Sequence, residues 1–303
     1  MAQRDLAATC RICGHAARKD PPSAFGDVRG NTARFKGHDF PLWKCSRCES
    51  IHSLEAVDYR DIYSDYPLNR RRLDVFARGT LRRLLSRLER AGVSRTDSVL
   101  DVGCGNGIFI QYLKERGYVD VTGFDPYMDR YAAWPARTFD CVVANDVIEH
   151  VDDPRAELAR WLSLVRAGGI LYIGTADAGP VDMANLEPHV MRMHQPFHRV
   201  TITEPTLHRL AAESGTELVA SYRRSYMDTL RPFSNYRFLD EFNRALGHDM
   251  DRALDPAAGS IVARKPSLLF YALFGYFLPV AFEPAIVLRK PAATNSGGRR
   301  NAA

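Results

Sequence analysis

The sequence predicts an α/β fold: an open, mostly parallel sheet, preceded by a small cysteine-bearing module and a helical linker. Three observations predict it. Residues 97–226 alternate short β-type runs with amphipathic stretches, the pattern of a layered α/β sheet. Within that region Gly103, Gly105 and Gly107 stand between a β-type run and a helix-like run. Ahead of it lie two Cys-x-x-Cys pairs, Cys10/Cys13 and Cys45/Cys48.

The composition bounds the reading. With 303 residues, 46% hydrophobic and 25% charged, the chain is globular and long enough to bury a core without disulfides. Its net charge of +5 is too weak a basic excess to point to nucleic acid. MAQRDLAATC shows no secretory n-region and h-region, so the chain reads as cytoplasmic. Four regions follow: a module over 1–54, a helical linker or lid over 55–96, a main domain over 97–290, and a polar tail over 291–303 expected to be disordered.

In the first region the pairs Cys10-x2-Cys13 and Cys45-x2-Cys48 are separated by 31 residues. Each hairpin can set two thiolates on one ion, and two hairpins complete a tetrahedron. A structural Zn2+ held by four cysteines is expected, with no open position for catalysis. A pair of redox or incidental thiols is the alternative. The linker follows. Leu73, Phe76, Leu81, Leu84, Leu85 and Leu88 fall at helical spacing. Its many arginines, Arg70, Arg71 and Arg72 and then Arg78 to Arg90, read as a solvated face or as a patch for an anionic acceptor. Tyr59, Tyr63 and Tyr66 precede this helix and serve either as packing or as part of a lid.

The chemistry concentrates in Val99 to Ile110, VLDVGCGNGIFI. Glycines at alternate positions let the backbone turn sharply and approach a ligand closely. N–H groups at the start of the following helix favour an anionic or polar group. The spacing Gly-x-Gly-x-Gly differs from the dinucleotide pattern Gly-x-Gly-x-x-Gly. Asp101, two residues before the first glycine, can face an ammonium group. Asp125 ends the next β-type run (VDVTGF), where a carboxylate can take both hydroxyls of a ribose.

These residues resemble class I S-adenosylmethionine-dependent methyltransferases. VLDVGCGNG (99–107), GFDP (123–126), FDCVVANDVIEHVDDP (139–154) and VRAGGILYIGT (165–175) match the family's motifs in its order, over about a quarter of the chain. The resemblance implies a Rossmann-like sheet of seven strands, mostly parallel with one reversed, and S-adenosylmethionine at the C-terminal strand edge. By position it implies that Asp101, Gly103, Cys104, Gly105 and Gly107 hold the methionine moiety. Asp125 would take the ribose, and Pro126 and Tyr127 would lie near the adenine. Asn145, Asp146 and Val147 would line the pocket beside the sulfonium. A zinc-binding segment ahead of such a domain also looks like enzymes that modify sugars, polyketides or cell-envelope glycans.

One departure matters. Only 14 residues (126–139) separate Asp125 from Asp140, too few for the family's third strand and adenine-contacting acid. That strand is therefore expected to be shortened or missing. Met128, Tyr131 or Trp134 are candidates to cover the adenine.

Acceptor chemistry needs a base when a hydroxyl or carbon is methylated. His150, in NDVIEHVDDP, and His189, His194 and His198, in EPHVMRMHQPFHRVT, follow the fourth and fifth strands; His150, His194 and His198 are the catalytic candidates. A three-histidine metal site is disfavoured by Pro188 and Pro196. Asp153 or Asp152 caps a helix with Pro154 in its first turn that Gly168-Gly169 would end, and Thr203 starts another. AIVLRK (285–290) is the preferred last strand, with SIVARK (260–265) its rival.

Residues 227–282 read as an insertion. The uncharged run from Pro266 to Phe282 falls just short of the length of a spanning helix. It reads as a buried or interface helix, or as a peripheral membrane contact or greasy acceptor pocket. The overall expectation is methyl transfer to a small-molecule acceptor: a sugar, lipid-linked or polyketide-type intermediate, hydrophobic or glycosylated. The alternatives are a zinc-ribbon scaffold protein with a degenerate methyltransferase domain, and a methyltransferase acting on RNA or protein. Oligomeric state is not legible.

Overall fold

The computed structural model describes residues 8–280 and 283–292. The strands β1 (Phe25–Arg29), β2 (Asp39–Lys44) and β3 (Ile51–Ser53) form the amino-terminal meander around the two Cys-x-x-Cys turns. Helix α1 (Tyr59–Tyr63) follows, started by Asp58, whose side chain accepts from the backbone N–H groups of Arg60 and Asp61. Helix α2 (Val75–Arg90) buries Leu81, Leu84, Leu85 and Leu88, the predicted apolar face. The linker thus consists of two helices joined by a 3-10 turn, Pro67–Arg70.

The main sheet begins with β4 (Val99–Val102), α3 (Ile108–Glu115), β5 (Val121–Phe124) and β6 (Phe139–Asn145). Helix α4 (Pro154–Leu164) is capped by Asp153, which accepts from Arg155 and Ala156 with Pro154 in the first turn. The chain passes straight from α4 into β7 (Val165–Gly174). Gly168 and Gly169 lie inside that strand at a register shift, so they make a bulge and do not end the helix as predicted.

Short α5 (Val190–Met193), β8 (Val200–Thr201), α6 (Glu204–Glu213) and β9 (Glu217–Tyr222) follow. The insertion holds α7 (Tyr236–Ala245), α8 (Met250–Ala253), α9 (Ser260–Arg264) and α10 (Pro266–Phe274), and β10 (Ala285–Arg289) closes the sheet. SIVARK is thus a helix and AIVLRK is the last strand.

The main sheet has six strands in the order β5-β4-β6-β7-β10-β9, parallel except that β10 runs against both neighbours. The third strand is missing. Between β5 and β6, residues 125–138 hold only a single 3-10 turn, Asp129–Tyr131, and β5 forms the sheet edge.

The amino-terminal sheet is completed from the main domain. Its order is β1-β2-β3-β8, with Ile51 opposite Thr201 and His52 opposite Val200. The break expected at residue 54 is therefore not a structural seam. One apolar core runs through both parts, from Trp43 and Cys48 to Trp161 and Leu171. Trp43 is fully buried, and its ring stacks on His52 at 5.0 Å. The expected disordered tail falls, from residue 293 on, outside the described residues. Among the described residues no helix is long and apolar enough to cross a membrane.

Candidate functional site

A cavity of about 490 Å³ opens at the C-terminal edge of β4, β5 and β6. This is where an open α/β sheet offers its strand ends and helix N-termini to a ligand. Gly103, Gly105 and Gly107 all adopt the left-handed conformation, with φ of 67°, 51° and 80°. That conformation is costly for residues bearing a Cβ. At Gly103 the demand is double, because a Cβ would stand 2.6 Å from a methyl of Val147. A Cβ at Gly107 would collide with the Tyr131 hydroxyl.

The two carboxylates predicted on adjacent strand tips converge on this cavity. Asp101 pairs in register with Gly123, two residues before Asp125. The Asp125 carboxylate accepts from the backbone N–H of Gly105 and of Tyr127, each at 2.9 Å. One lone pair on each oxygen remains for a ligand. Burial raises the Asp125 carboxyl above its usual range, and the two backbone donors offset part of that. Asp101 is buried, receives no hydrogen bond among the described residues, and is pushed up to about 8 by burial and then by the charge of Asp125. Acids held this way lack a counter-charge, and a cationic group in the cavity would supply it.

Cys104, Pro126, Tyr127, Asn145, Asp146 and Val147 also line the cavity. Asp146 sits at φ 56°, and its carboxyl is raised well above the usual range, first by burial and then by Glu149. Tyr226 donates weakly to it at 3.4 Å. Gly107 is the one predicted loop residue off the wall. Met128, Tyr131 and Trp134, the candidates for adenine stacking, are not on the wall either. Trp134 lies edge-on to Phe124 at 4.8 Å, with the Arg160 guanidinium 3.7 Å over its ring. Tyr127 and Trp161 offer aromatic surface in their place.

Sequence reasoning left the linker tyrosines undecided. Tyr63 and Tyr66 both line the cavity, and Tyr63 stacks on Tyr127 with ring centroids 4.5 Å apart. The Tyr63 hydroxyl meets His150 Nδ1 at 2.7 Å. Arg71, one of the linker arginines read as a solvated face or an anion patch, lies on the same wall, whereas Asn69 and Tyr226 there carried no signal that sequence could read.

Of the catalytic candidates, only His150 reaches the cavity. His194 and His198 are buried behind it, with ring centroids 6.2 and 4.7 Å from His150. The reason is local: His194 Nδ1 meets Asn31 Oδ1 at 2.9 Å and its Nε2 meets the Tyr66 hydroxyl at 3.0 Å. His198 Nδ1 donates to the Arg192 carbonyl at 2.8 Å. These bonds hold both rings between the two sheets. His189 lies farther off, near the Asp182 backbone N–H at 3.4 Å.

Burial lowers His150 to about 4, against a hydrogen bond with the Phe197 backbone that raises it. His194 and His198 are lowered well below their usual value by burial and by His150. All three rings are neutral at pH 7. Glu149 is pushed up to about 7 by burial, with one carboxyl oxygen near the Ala176 N–H at 3.3 Å. Glu149, His150 and His198 present possible metal-ligand atoms within 4.8 Å of one another. His150, however, already uses its ring nitrogens for Tyr63 and for the Phe197 backbone.

The four cysteines form a second cluster. The Sγ atoms of Cys10 and Cys48 are 3.4 Å apart, those of Cys13 and Cys45 are 3.6 Å apart, and all four lie within 4.8 Å of one another. A tetrahedral site with Zn–S near 2.3 Å has S–S edges of about 3.8 Å, so the donor set and spacing suit zinc. The cluster is tied to the main domain: Arg155 Nε donates to the Ile12 carbonyl at 2.7 Å, and the Thr206 hydroxyl to the Cys48 carbonyl at 3.1 Å. Cys104 and Cys141 are buried free thiols away from the cluster.

A family model described as a methyltransferase domain matches residues 70–221. The ubiquinone biosynthesis O-methyltransferase of Saccharophagus degradans is 30% identical over 116 residues, which are 30% of this chain and 48% of that protein. The enzyme of the same description from Cronobacter sakazakii is 31% identical over 111 residues, 29% of this chain and 45% of that one. The chain thus spans about half the length of the curated relatives it matches. Among solved structures, the Burkholderia thailandensis 1,6-didemethyltoxoflavin-N1-methyltransferase aligns with a TM-score of 0.46 at 19% identity, covering 83% of this chain and 96% of that one.

Proposed function

The chain belongs to the methyltransferase domain family, and from that premise we propose that it transfers a methyl group from S-adenosylmethionine to the hydroxyl of a small, ring-bearing acceptor. The observation that carries this reading is the pair Asp101 and Asp125, converging on one cavity over a glycine loop, neither of them ion-paired among the described residues. Asp125 keeps lone pairs for two ribose hydroxyls. Asp101 suits an ammonium group. The loop of Gly103, Cys104, Gly105 and Gly107 suits the methionine moiety, with Pro126 and Tyr127 beside the adenine. Asn145, Asp146 and Val147 complete the wall.

Bound there, S-adenosylmethionine supplies an electrophilic methyl already activated for in-line displacement. The protein's task is then to hold the acceptor oxygen in line and to take its proton. Tyr63 and His150 suit that task. The phenol faces the cavity and hydrogen-bonds the neutral imidazole, so a proton leaving the acceptor can pass through Tyr63 Oη to His150 Nδ1 without ionising the tyrosine.

The aromatic wall of Tyr63, Tyr66 and Tyr226 supports a flat, partly apolar acceptor. The O-methyltransferase descriptions of the curated relatives agree with it. The four-cysteine cluster would hold a structural zinc ion that secures the amino-terminal sheet against α4 and α6. Calorimetry with S-adenosylmethionine tests the cofactor reading, and no binding at millimolar cofactor would overturn it. Mass spectrometry of catechols, phenols and sugars incubated with enzyme and cofactor tests the acceptor; methylation confined to the sugars would overturn that part.

A further inference from the structure

Helix α10 is apolar on two opposite sides. Leu268 and Ala272 pack against Phe238 of α7, while Leu269, Phe270, Leu273 and Phe274 face outward. Phe274 is 51% exposed and Phe277, in the turn that follows, 72%. Phe270 and Phe274 touch each other, with ring centroids 5.4 Å apart, rather than folding inward.

The surface continues toward the cavity. Asn235 ties its loop to α10 through the Tyr271 and Ala272 carbonyls at 2.9 and 3.1 Å. In the same loop Leu230 is 66% exposed, and Arg231 reaches the Val75 carbonyl at 3.4 Å. Val75, 62% exposed, and its neighbour Phe76 begin α2. Both ends of this rim lie close in chain to the cavity wall, because Arg71 and Tyr226, four residues before Val75 and Leu230, line it.

The charge around α10 identifies the partner. No Asp or Glu occurs from Pro256 to Phe282, whereas Arg264 and Lys265 stand exposed at the start of the helix with no carboxylate partner among the described residues. Arg237 and Arg244 of the adjoining α7 are already paired with Glu241 and Asp240. A self-complementary dimer centred on α10 would set Arg264 and Lys265 near their own copies across a segment that carries no acid. Exposed aromatic and leucine side chains bordered by cations match the interface of an anionic bilayer.

We infer that the rim formed by α10, the Leu230–Asn235 loop and the start of α2 docks the protein on an anionic lipid surface. Docked there, the cavity wall lies beside the lipid phase, from which an apolar acceptor could be drawn.

The test is co-sedimentation of the full chain with phosphatidylcholine vesicles, with and without phosphatidylglycerol, in the absence of any methyl donor, so the result is independent of the activity. Binding is expected only with the anionic lipid and should weaken in high salt. It should fall about tenfold or more in the triple variant Phe270→Ser, Phe274→Ser, Phe277→Ser, and likewise in Arg264→Glu with Lys265→Glu, which leaves the packed face untouched if the triple variant fails to fold. Absence of binding to anionic vesicles overturns the proposal. So does equal binding by the charge-reversed variant, or a concentration-dependent dimer that the aromatic substitutions dissolve while vesicles leave the protein in solution.

Discussion

The hydroxyl of Tyr63 lies 2.7 Å from Nδ1 of His150, joining α1 to the turn that follows β6 across 87 residues of chain. If this pair moves the acceptor proton, His150→Gln lowers kcat by about 10²–10⁴ while cofactor affinity stays within a few-fold. Tyr63→Phe, which keeps the ring on Tyr127, should lower kcat comparably. Because His150 is held near 4, the acid limb of the kcat profile should fall near pH 4 rather than near 6.5. Stopped-assay pH profiles of both variants check this, and an acid limb unchanged in His150→Gln rules the imidazole out.

Asp101 makes cofactor binding depend on pH. Its carboxyl is pushed up to about 8, so between pH 6.5 and 8.5 an increasing fraction is ionised and affinity for a cationic ligand should rise. The unliganded fold has the opposite slope. The folded state holds this proton above the unfolded value, so its stability should fall as pH climbs from about 4 toward 8. Isothermal titration and thermal melts at several pH values measure both slopes, and Asp101→Asn should flatten both.

Asp125→Ala removes the acceptor that the Gly105 and Tyr127 N–H groups share. We expect cofactor binding weakened by about 1–3 kcal/mol, with Asp125→Asn intermediate. Unchanged affinity by calorimetry would remove the ribose assignment.

Gly103→Ala combines a left-handed backbone with a collision against Val147. Gly168, at φ 78° with open space around it, isolates the backbone part. Gly168→Ala should cost about 1–2 kcal/mol in urea unfolding. Gly103→Ala should cost more and should also weaken cofactor binding.

Replacing Cys13 or Cys45 by Ser should release one equivalent of zinc, read by elemental mass spectrometry. The melting temperature should fall as well, since Arg155 and Thr206 carry the loss into α4 and α6. A wild-type protein purified without metal, with an unchanged melt on chelation, would refute the zinc site.

Much of the frame follows from local pattern. The glycine spacing, the acids at positions 101 and 125, the helix start at residues 152–154, strand β10 and the absence of a third strand are each written in a few consecutive residues. Local rules of turn, cap and alternation act over such windows. Even so, the Gly168-Gly169 pair misleads, because a bulge and a helix stop use the same residues. The arginines of α2 also resisted reading. Arg87 is buried, donating to the Tyr172 hydroxyl at 2.9 Å, and Arg78 is paired with Glu115, which settles part of that face as structural.

Chain pattern alone therefore settles which strands form, where the backbone must bend, and which thiols and acids are available. Folding decides the rest. It closes a sheet with Val200 and Thr201 from far downstream, draws His194 and His198 inward while leaving His150 at the wall, and brings Tyr63 to it. Those outcomes depend on which polar groups find partners once water is excluded. That pairing is set by contacts between residues remote in sequence, which no short window encodes.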